Sequence, residues 1–588
     1  MKKVLTRCLA VIGAATILLV ALTIIAAVVW FGEGSVSKNT ILEVDFETRF
    51  VEYIPDDPMA DLMTGDAALV RDIVDALEKA ADDEKIIGLV AHVGAGRIGF
   101  AATQEIREAV KAFRRSGKPA VAWSECFGEF SPGNGAYYLA TAFDKIYLLP
   151  SGDVGLTGLL MESPFIRGTL DKLDIEPRLG QRYEYKNAAN TVMEKKYTQA
   201  HRENLETIMQ SIYNRMVQDI AEARSISADR VRDIIDHGPY YGQEAVDAGL
   251  IDELLYRDEV YDKMKETRGD DTEFLFLSEY LDRAGRPHEK GETIALIYGA
   301  GSVVRGSSGY DPLFSEITMG SATVAKAFRD AVDDDDVRAI LFRVDSPGGS
   351  YVASDIIWRE TVRAKKLGKP VIVSMGDVAA SGGYFVSMAA DKIVAQPGTI
   401  TGSIGVFAGK AITTGLWENL GITWDEVHRG DNATYWTNTS DYNDLGNQRL
   451  NAGLDRIYED FTAKVASGRN LPLDKVLEIA KGRVWTGEQA LENGLIDELG
   501  GFPTALRLAC EAAGISEDKD VKLKLFPEKK TFIEKILEDD PESSEKTAFA
   551  SVVRNTVRMA QPALRLAREL GLLDNPYLLR LPTYETQP

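Results

Sequence analysis

Between residues 292 and 390, short apolar runs alternate with longer stretches of helical periodicity. Ile294–Ile297, Ala339–Val344 and Val371–Ser374 are continuous runs of the kind found in strands buried on both faces. Ala322–Val332 and Tyr351–Leu367 read as helices, and a further helix starts over Gly383–Ala390. Strand and helix in alternation predict parallel β-α-β units, hence an α/β fold. The charge-rich stretch Glu266–Gly291, which contains Pro287, reads as a linker. After about residue 526 the pattern changes: Pro527–Lys546 is strongly charged and Thr547–Leu572 is an amphipathic helix candidate. Residues 527–588 are therefore expected to form a C-terminal helical extension.

The N-terminus carries a different pattern. Lys2, Lys3 and Arg7 precede an uncharged run from Cys8 to Phe31. At about 1.5 Å per residue, a helix of that length crosses a bilayer. The run ends in bulky Val28-Val29-Trp30-Phe31, where a cleavable leader needs small residues. Residues 1–39 thus read as a cytoplasmic tip and an uncleaved signal anchor. Positive charge stays inside, which places the rest of the chain outside the cytoplasm as a single-pass protein.

The chain also repeats itself. Asn134-Gly-Ala-Tyr-Tyr-Leu-Ala-Thr-Ala-Phe-Asp-Lys-Ile146 reappears, conservatively changed, as Ser381-Gly-Gly-Tyr-Phe-Val-Ser-Met-Ala-Ala-Asp-Lys-Ile393. Pro150, Gly155 and Gly158 find Pro397, Gly402 and Gly405 at the same spacing. Gly117-Lys-Pro119 matches Gly368-Lys-Pro370, and the run Gly242–Glu253 matches Gly487–Glu498. A tandem duplication follows, with one copy over 40–265 and the other over 292–526.

Composition excludes some classes. The 588 residues carry a formal net charge of -23, so no nucleic-acid partner is expected. Cys8, Cys126 and Cys510 are scattered, as are the five histidines His92, His201, His237, His288 and His428. Neither set has the spacing of a metal site or a disulfide framework, and no metal or cofactor is expected.

Chemistry emerges where the copies differ. The second copy has Asp345-Ser-Pro-Gly-Gly-Ser350 after a strand, where the first has Gly94-Ala-Gly-Arg97. A glycine turn between strand and helix presents free backbone N–H groups to an oxyanion, although many ordinary turns use glycines too. The next strand leads into Gly376-Asp-Val-Ala-Ala-Ser-Gly-Gly-Tyr384. Ser381 at such a turn is placed as a nucleophile; the alternative is that it caps the following helix. Asn134 stands at its position in the first copy and reads as a helix cap. The first copy in turn holds Lys186 in Gln181-Arg-Tyr-Glu-Tyr-Lys-Asn-Ala-Ala-Asn190, while the matching Val427–Thr434 has no lysine. Taken alone, Lys186 reads as a surface lysine. A serine kept by one copy and a lysine by the other point to a single shared site, with a desolvated lysine as base.

These motifs, with Thr401-Gly-Ser-Ile-Gly-Val406, resemble the long, duplicated form of the signal peptide peptidases, Ser/Lys proteases with the Clp-protease/crotonase fold. The resemblance runs from the anchor to about residue 526. It implies Ser381 as nucleophile, Lys186 as general base, Gly349 and Gly382 as oxyanion donors, and Ser403 orienting the amine. It departs from the family at Asn187, where a serine is often found. It further implies peptide substrates, chiefly apolar signal-peptide remnants, and a homo-oligomer, a tetramer in such assemblies. The enzyme would sit at the extracytoplasmic face of the plasma membrane, in contact with lipid through its anchor. Two rivals share some features: a crotonase-type acyl-CoA enzyme and a non-catalytic membrane scaffold.

Overall fold

The apolar runs assemble into two parallel sheets, one from each copy. A computed structural model describes residues 35–528, except 57–59, 61–62, 65–66, 95, 97, 267–270, 312–315 and 517, together with the strands Leu578–Arg580 and Glu585–Thr586. The expected anchor over 8–31 and the helix candidate over 547–572 lie outside the described residues. Among the described residues, no helix is long and apolar enough to cross a membrane.

The first sheet runs in the order Glu253–Leu254, Lys145–Leu148, Ala120–Ser124, Ile86–His92, Thr40–Asp45, Glu273–Phe276, and all its pairings are parallel. The second repeats that order with Glu498–Leu499, Lys392–Ala395, Val371–Ala380, Val337–Ser346, Glu292–Ala300 and Val521–Phe526. It adds Ile400–Gly402 and Val484–Thr486, which branch from the far end of Val371–Ala380.

Helices cover both faces, which is why the strands are apolar almost throughout. In the second copy Ala295, Ile297, Ile340 and Phe342 face one core with Tyr384, Phe385 and Phe461. The alternate residues Ile294, Leu296, Ala339 and Leu341 face a second core against Leu506 and Ala509 of the helix Phe502–Ala512. The first copy does the same: Leu42, Val44 and Leu89 face one way, while Ile41, Val90 and Val121 pack on Val260 and Met264.

The segment expected to be a linker contributes structure instead. Glu273–Phe276 is the edge strand of the first sheet, paired with Thr40–Asp45. The helix Leu277–Ala284 then buries Leu277, Tyr280 and Leu281 in the first core. Its charges lie on the exposed face of a short amphipathic helix, which is what made the stretch look loop-like.

The copies interlock through buried polar contacts. The helix Phe100–Arg115 of the first copy buries Gln104 and Glu105. Gln104 Oε1 accepts from Gly398 N at 2.8 Å and Glu105 Oε1 from Phe502 N at 2.9 Å. Arg343, 2% exposed, lies between Glu52 and Glu105 at 2.7 and 2.8 Å. Removing one partner of such a group strands the others' charges without water. Arg343→Met is therefore expected to cost about 3–5 kcal/mol in denaturant unfolding, while Arg338→Met, at a more exposed arginine, costs under about 0.5 kcal/mol. Equal losses at the two positions would contradict the assignment of the interface to this cluster.

Candidate functional site

Strand Val371–Ala380 delivers Ser381 at a bend. Ser381 has φ 54° and ψ −112°, a region that non-glycine residues avoid, and the helix Gly382–Ser387 follows at once. The bend is pinned by Ser381 N donating to Gly402 O at 2.8 Å. The serine occupies the N-cap position, yet its side chain makes no capping bond. The hydroxyl is thus free of the structural duty that a helix-capping serine would have. Gly382 has no room for a side chain: an added Cβ would lie 2.8 Å from Ser354 Oγ and 2.9 Å from Gly349 N. The same closeness sets the Gly349 and Gly382 backbones side by side next to the serine. As the first residue of its helix, Gly382 has an N–H with no acceptor inside that helix.

The lysine arrives from the first copy by strand pairing. Glu176–Arg182 runs antiparallel to Val406–Ile412, with Arg182 opposite Val406. Continuing that register four residues past Arg182 and four back from Val406 leads to Lys186 and Gly402. The intervening turn is fastened to the loop at 481–483. Tyr183 N and Tyr185 N donate to Lys481 O at 3.2 and 3.1 Å, and the same loop accepts Ser403 N at Arg483 O, 2.8 Å. Gly482 (φ 81°) lies against the lysine backbone, where a Cβ would meet Lys186 N at 2.5 Å and Cα at 2.6 Å.

The amine ends up in a dry pocket of three oxygens. Lys186 Nζ lies 2.7 Å from Ser381 Oγ, 2.9 Å from Ser403 O and 3.0 Å from Ser403 Oγ. Lys186, Ser381 and Ser403 have no exposed surface. Burial alone drives the Lys186 pKa well below its ordinary value. A neutral amine has two N–H donors and one lone pair. Two donors to Ser403 and a lone pair facing the Ser381 hydroxyl use all three. The arrangement can abstract the hydroxyl proton and make Ser381 a nucleophile.

All five residues singled out in the sequence therefore meet at one place. Lys186, Ser381 and Ser403 are in direct contact, and Gly349 and Gly382 adjoin them. Asn187 is buried beside the lysine, where its Oδ1 accepts from Asn190 Nδ2 at 3.2 Å. In the second copy, the stretch matching the lysine segment, 427–434, is a mostly exposed loop. Asn134 departs from its expected role. It is the first residue of the helix Asn134–Ala140, not its cap, and the cap position is Gly133. Its Oδ1 accepts from Thr157 N and Gly158 N, both at 3.0 Å, and its Nδ2 donates to Gly158 O at 2.9 Å. The amide thus bridges the vacant lobe of the duplication to its own turn.

Sequence reasoning missed the acidic groups behind the site. Asp345 Oδ1 accepts from Val378 N at 2.9 Å, tying the two glycine-bearing turns together. Asp377 Oδ1 accepts from Ala102 N at 3.0 Å, tying the serine strand to the first copy. Burial raises both carboxyls, with Glu52 adding repulsion in each case. Asp345 opens its motif and Asp377 is the second residue of Gly376–Tyr384, the one signal that marked them.

Peptidase family S49 matches residues 112–270 and 363–516, so Lys186 and Ser381 fall in separate matched regions. Over 528 residues the chain is 30% identical to "Protease 4" of Haemophilus influenzae, covering 85% of this chain and 82% of that one. It is 32% identical over 461 residues to "Protease 4" of Salmonella typhi, covering 76% and 72%. Against "Serine protease SPPA, chloroplastic" of Arabidopsis thaliana it is 33% identical over 458 residues, covering 76% of this chain and 66%, just under two thirds, of that relative.

Gly482→Ala tests the seating of the lysine. The added methyl must push the Lys186 backbone away, and misplacement by about 1 Å costs on the order of 100-fold in rate. Labelling of Ser381 by a fluorophosphonate should slow by about that factor, with the fold retained by circular dichroism. An unchanged labelling rate would contradict this account of how the amine is held.

Proposed function

The chain belongs to peptidase family S49 and is a serine endopeptidase; on that footing we propose that Ser381 and Lys186 form its catalytic dyad. Residues 292–526 supply the serine and 40–265 the lysine, in two domains of the Clp-protease/crotonase type. The observation that carries this reading is the 2.7 Å approach of a fully buried amine to an uncapping serine.

The chemistry follows from the contacts. Ser381 Oγ attacks the scissile carbonyl carbon as its proton passes to neutral Lys186 Nζ. The Gly349 and Gly382 N–H groups hold the oxyanion. The resulting ammonium protonates the departing amine, and the C–N bond breaks to leave an acyl-enzyme. Water, deprotonated by the amine, then releases the acid and restores the serine. Ser403 orients the amine through its carbonyl and hydroxyl. No step calls for a metal or cofactor. A non-catalytic scaffold has no use for such a pair, and nothing at the site favours an acyl-CoA substrate.

The uncharged run 8–31 supports a membrane anchor with the catalytic domains on the extracytoplasmic side. Apolar peptides left in or near the membrane, such as signal-peptide remnants, are the substrates that this placement favours. A homo-oligomer, a tetramer by family resemblance, completes the proposal.

Ser381→Ala and Lys186→Met are each expected to lower kcat/KM on an apolar fluorogenic peptide by at least about 1,000-fold, and the double variant to be little worse. Wild-type activity should rise with pH through the lowered amine pKa and then level, because only the neutral amine accepts the proton. The stability sign agrees: the unfolded lysine binds a proton up to about pH 10.4 and the folded one does not. Wild type therefore gains stability relative to Lys186→Met as pH rises from the lowered value toward that limit. Lys186→Met keeping more than a tenth of wild-type activity would sink the dyad.

A further inference from the structure

The loop at 481–483 seats both the lysine turn and Ser403, yet it belongs to neither reactive motif. Its own anchor is the side chain of Arg483. The guanidinium carbon lies 4.7 Å from the centre of the Tyr185 ring and 4.7 Å from that of Trp485. Arg483 Nη1 donates to Glu203 Oε1 at 2.9 Å. The same carboxylate accepts from the Tyr185 hydroxyl, 3.2 Å from each oxygen. Tyr185, Arg483 and Glu203 thus close a triangle beside the lysine. The neighbouring residues repeat the grip. Asn204, 1% exposed, accepts from Val484 N at 3.1 Å and donates to Val484 O at 2.8 Å. The helix Gln199–Arg224 of the first copy therefore holds the loop of the second on which the lysine of the first is seated.

The duplication marks this contact as it marks the serine and the lysine. At the spacing that sets Gly242 against Gly487, Arg483 falls on Gly238 of the first copy, which has no side chain to offer. At the same spacing the helix Gln199–Arg224 falls on Asp444–Arg469, and Glu203 on the uncharged Gln448. The acid is kept by the copy that holds Lys186, and the arginine by the copy that holds Ser381. The pair forms only where the two meet.

We propose that Glu203 and Arg483 are positioning residues for Lys186, holding the walls of the amine pocket in register without touching the reacting atoms. This rests on the catalytic reading of Ser381 and Lys186. The Glu203 side chain is about half exposed, so the ion pair adds little to stability. Its effect is directional. Arg483 O accepts Ser403 N at 2.8 Å, and Ser403, held at φ 51°, presents two oxygens to the amine. Tyr185, packed on the guanidinium, leads directly into Lys186. A shift of Arg483 therefore moves the pocket from both sides and opens it to water. Burial is what lowers the amine pKa, so an opened pocket returns it toward the ordinary value.

The test uses the full chain in detergent micelles, with kcat and KM measured against pH on an apolar fluorogenic peptide. The proteins are wild type, Glu203→Ala, Glu203→Gln and Lys186→Met. Glu203→Ala is expected to lower kcat about tenfold or more with KM nearly unchanged. The midpoint of its rise in kcat with pH should move upward, while thermal unfolding changes little. Glu203→Gln still accepts from Arg483 and Tyr185 through its amide oxygen, and should recover most of the loss. Glu203→Ala with the kcat and midpoint of wild type would overturn the proposal. So would a loss equal in the two Glu203 variants with an unmoved midpoint. Lys186→Met keeping more than a tenth of wild-type activity would instead sink the catalytic reading, and this proposal with it.

Discussion

The site exists because two strands from different copies run side by side. The antiparallel pairing of Glu176–Arg182 with Val406–Ile412 carries the chain of the first copy to the serine of the second. Its register decides everything downstream. A slip of one residue would turn the pleat over and displace the turn that carries Lys186. The loop at 481–483 then locks the outcome, since it accepts hydrogen bonds from the lysine turn and from Ser403 alike. Two halves that began as repeats have become dependent: each supplies what the other lost.

Stored cost concentrates around the same point. Ser381 and Ser403 are both held at positive φ, and Lys186 is denied water and counter-charge. Each is unfavourable locally, on the order of 1–3 kcal/mol for the backbone strain. The surroundings that over-determine them are the parallel core strands beneath and the buried Arg343, Glu52 and Glu105 cluster that clamps the copies together. Asp345 and Asp377 connect that clamp to the two turns whose backbones flank the serine. Rigidity is supplied where the proposed proton transfer needs it.

Much of this was legible in the sequence, for identifiable reasons. The strands read clearly because a parallel sheet covered on both faces demands unbroken apolar runs. Ser381 and Lys186 stood out because duplication provides an internal reference, Asn134 against Ser381 and a lysine against none, while Gly349, Gly382 and Ser403 came through the family resemblance. What stayed hidden depends on long-range pairing. Arg343 meets partners 291 and 238 residues away, and a lone arginine in an apolar strand gives no hint of which carboxylates will reach it. The stretch 273–284 looked like a linker because a four-residue edge strand and an eight-residue helix are too short to show a period through their charges. Asn134 looked like a cap because its type and position suit one, and only the folded turn at 157–158 shows where its amide goes. The strand at 578–580 could not be foreseen, since main-chain pairing leaves little mark on residue type.

The site depends on a Lys186 amine whose pKa is driven well below its ordinary value by burial without a counter-charge. The most direct measurement is NMR titration of lysine side chains, isotopically labelled at Cε and Nζ, in the folded protein. One lysine signal is expected with a midpoint well below the ordinary value of about 10.4, absent from the spectrum of Lys186→Met. An assigned Lys186 signal that titrates with the surface lysines near that ordinary value would contradict it.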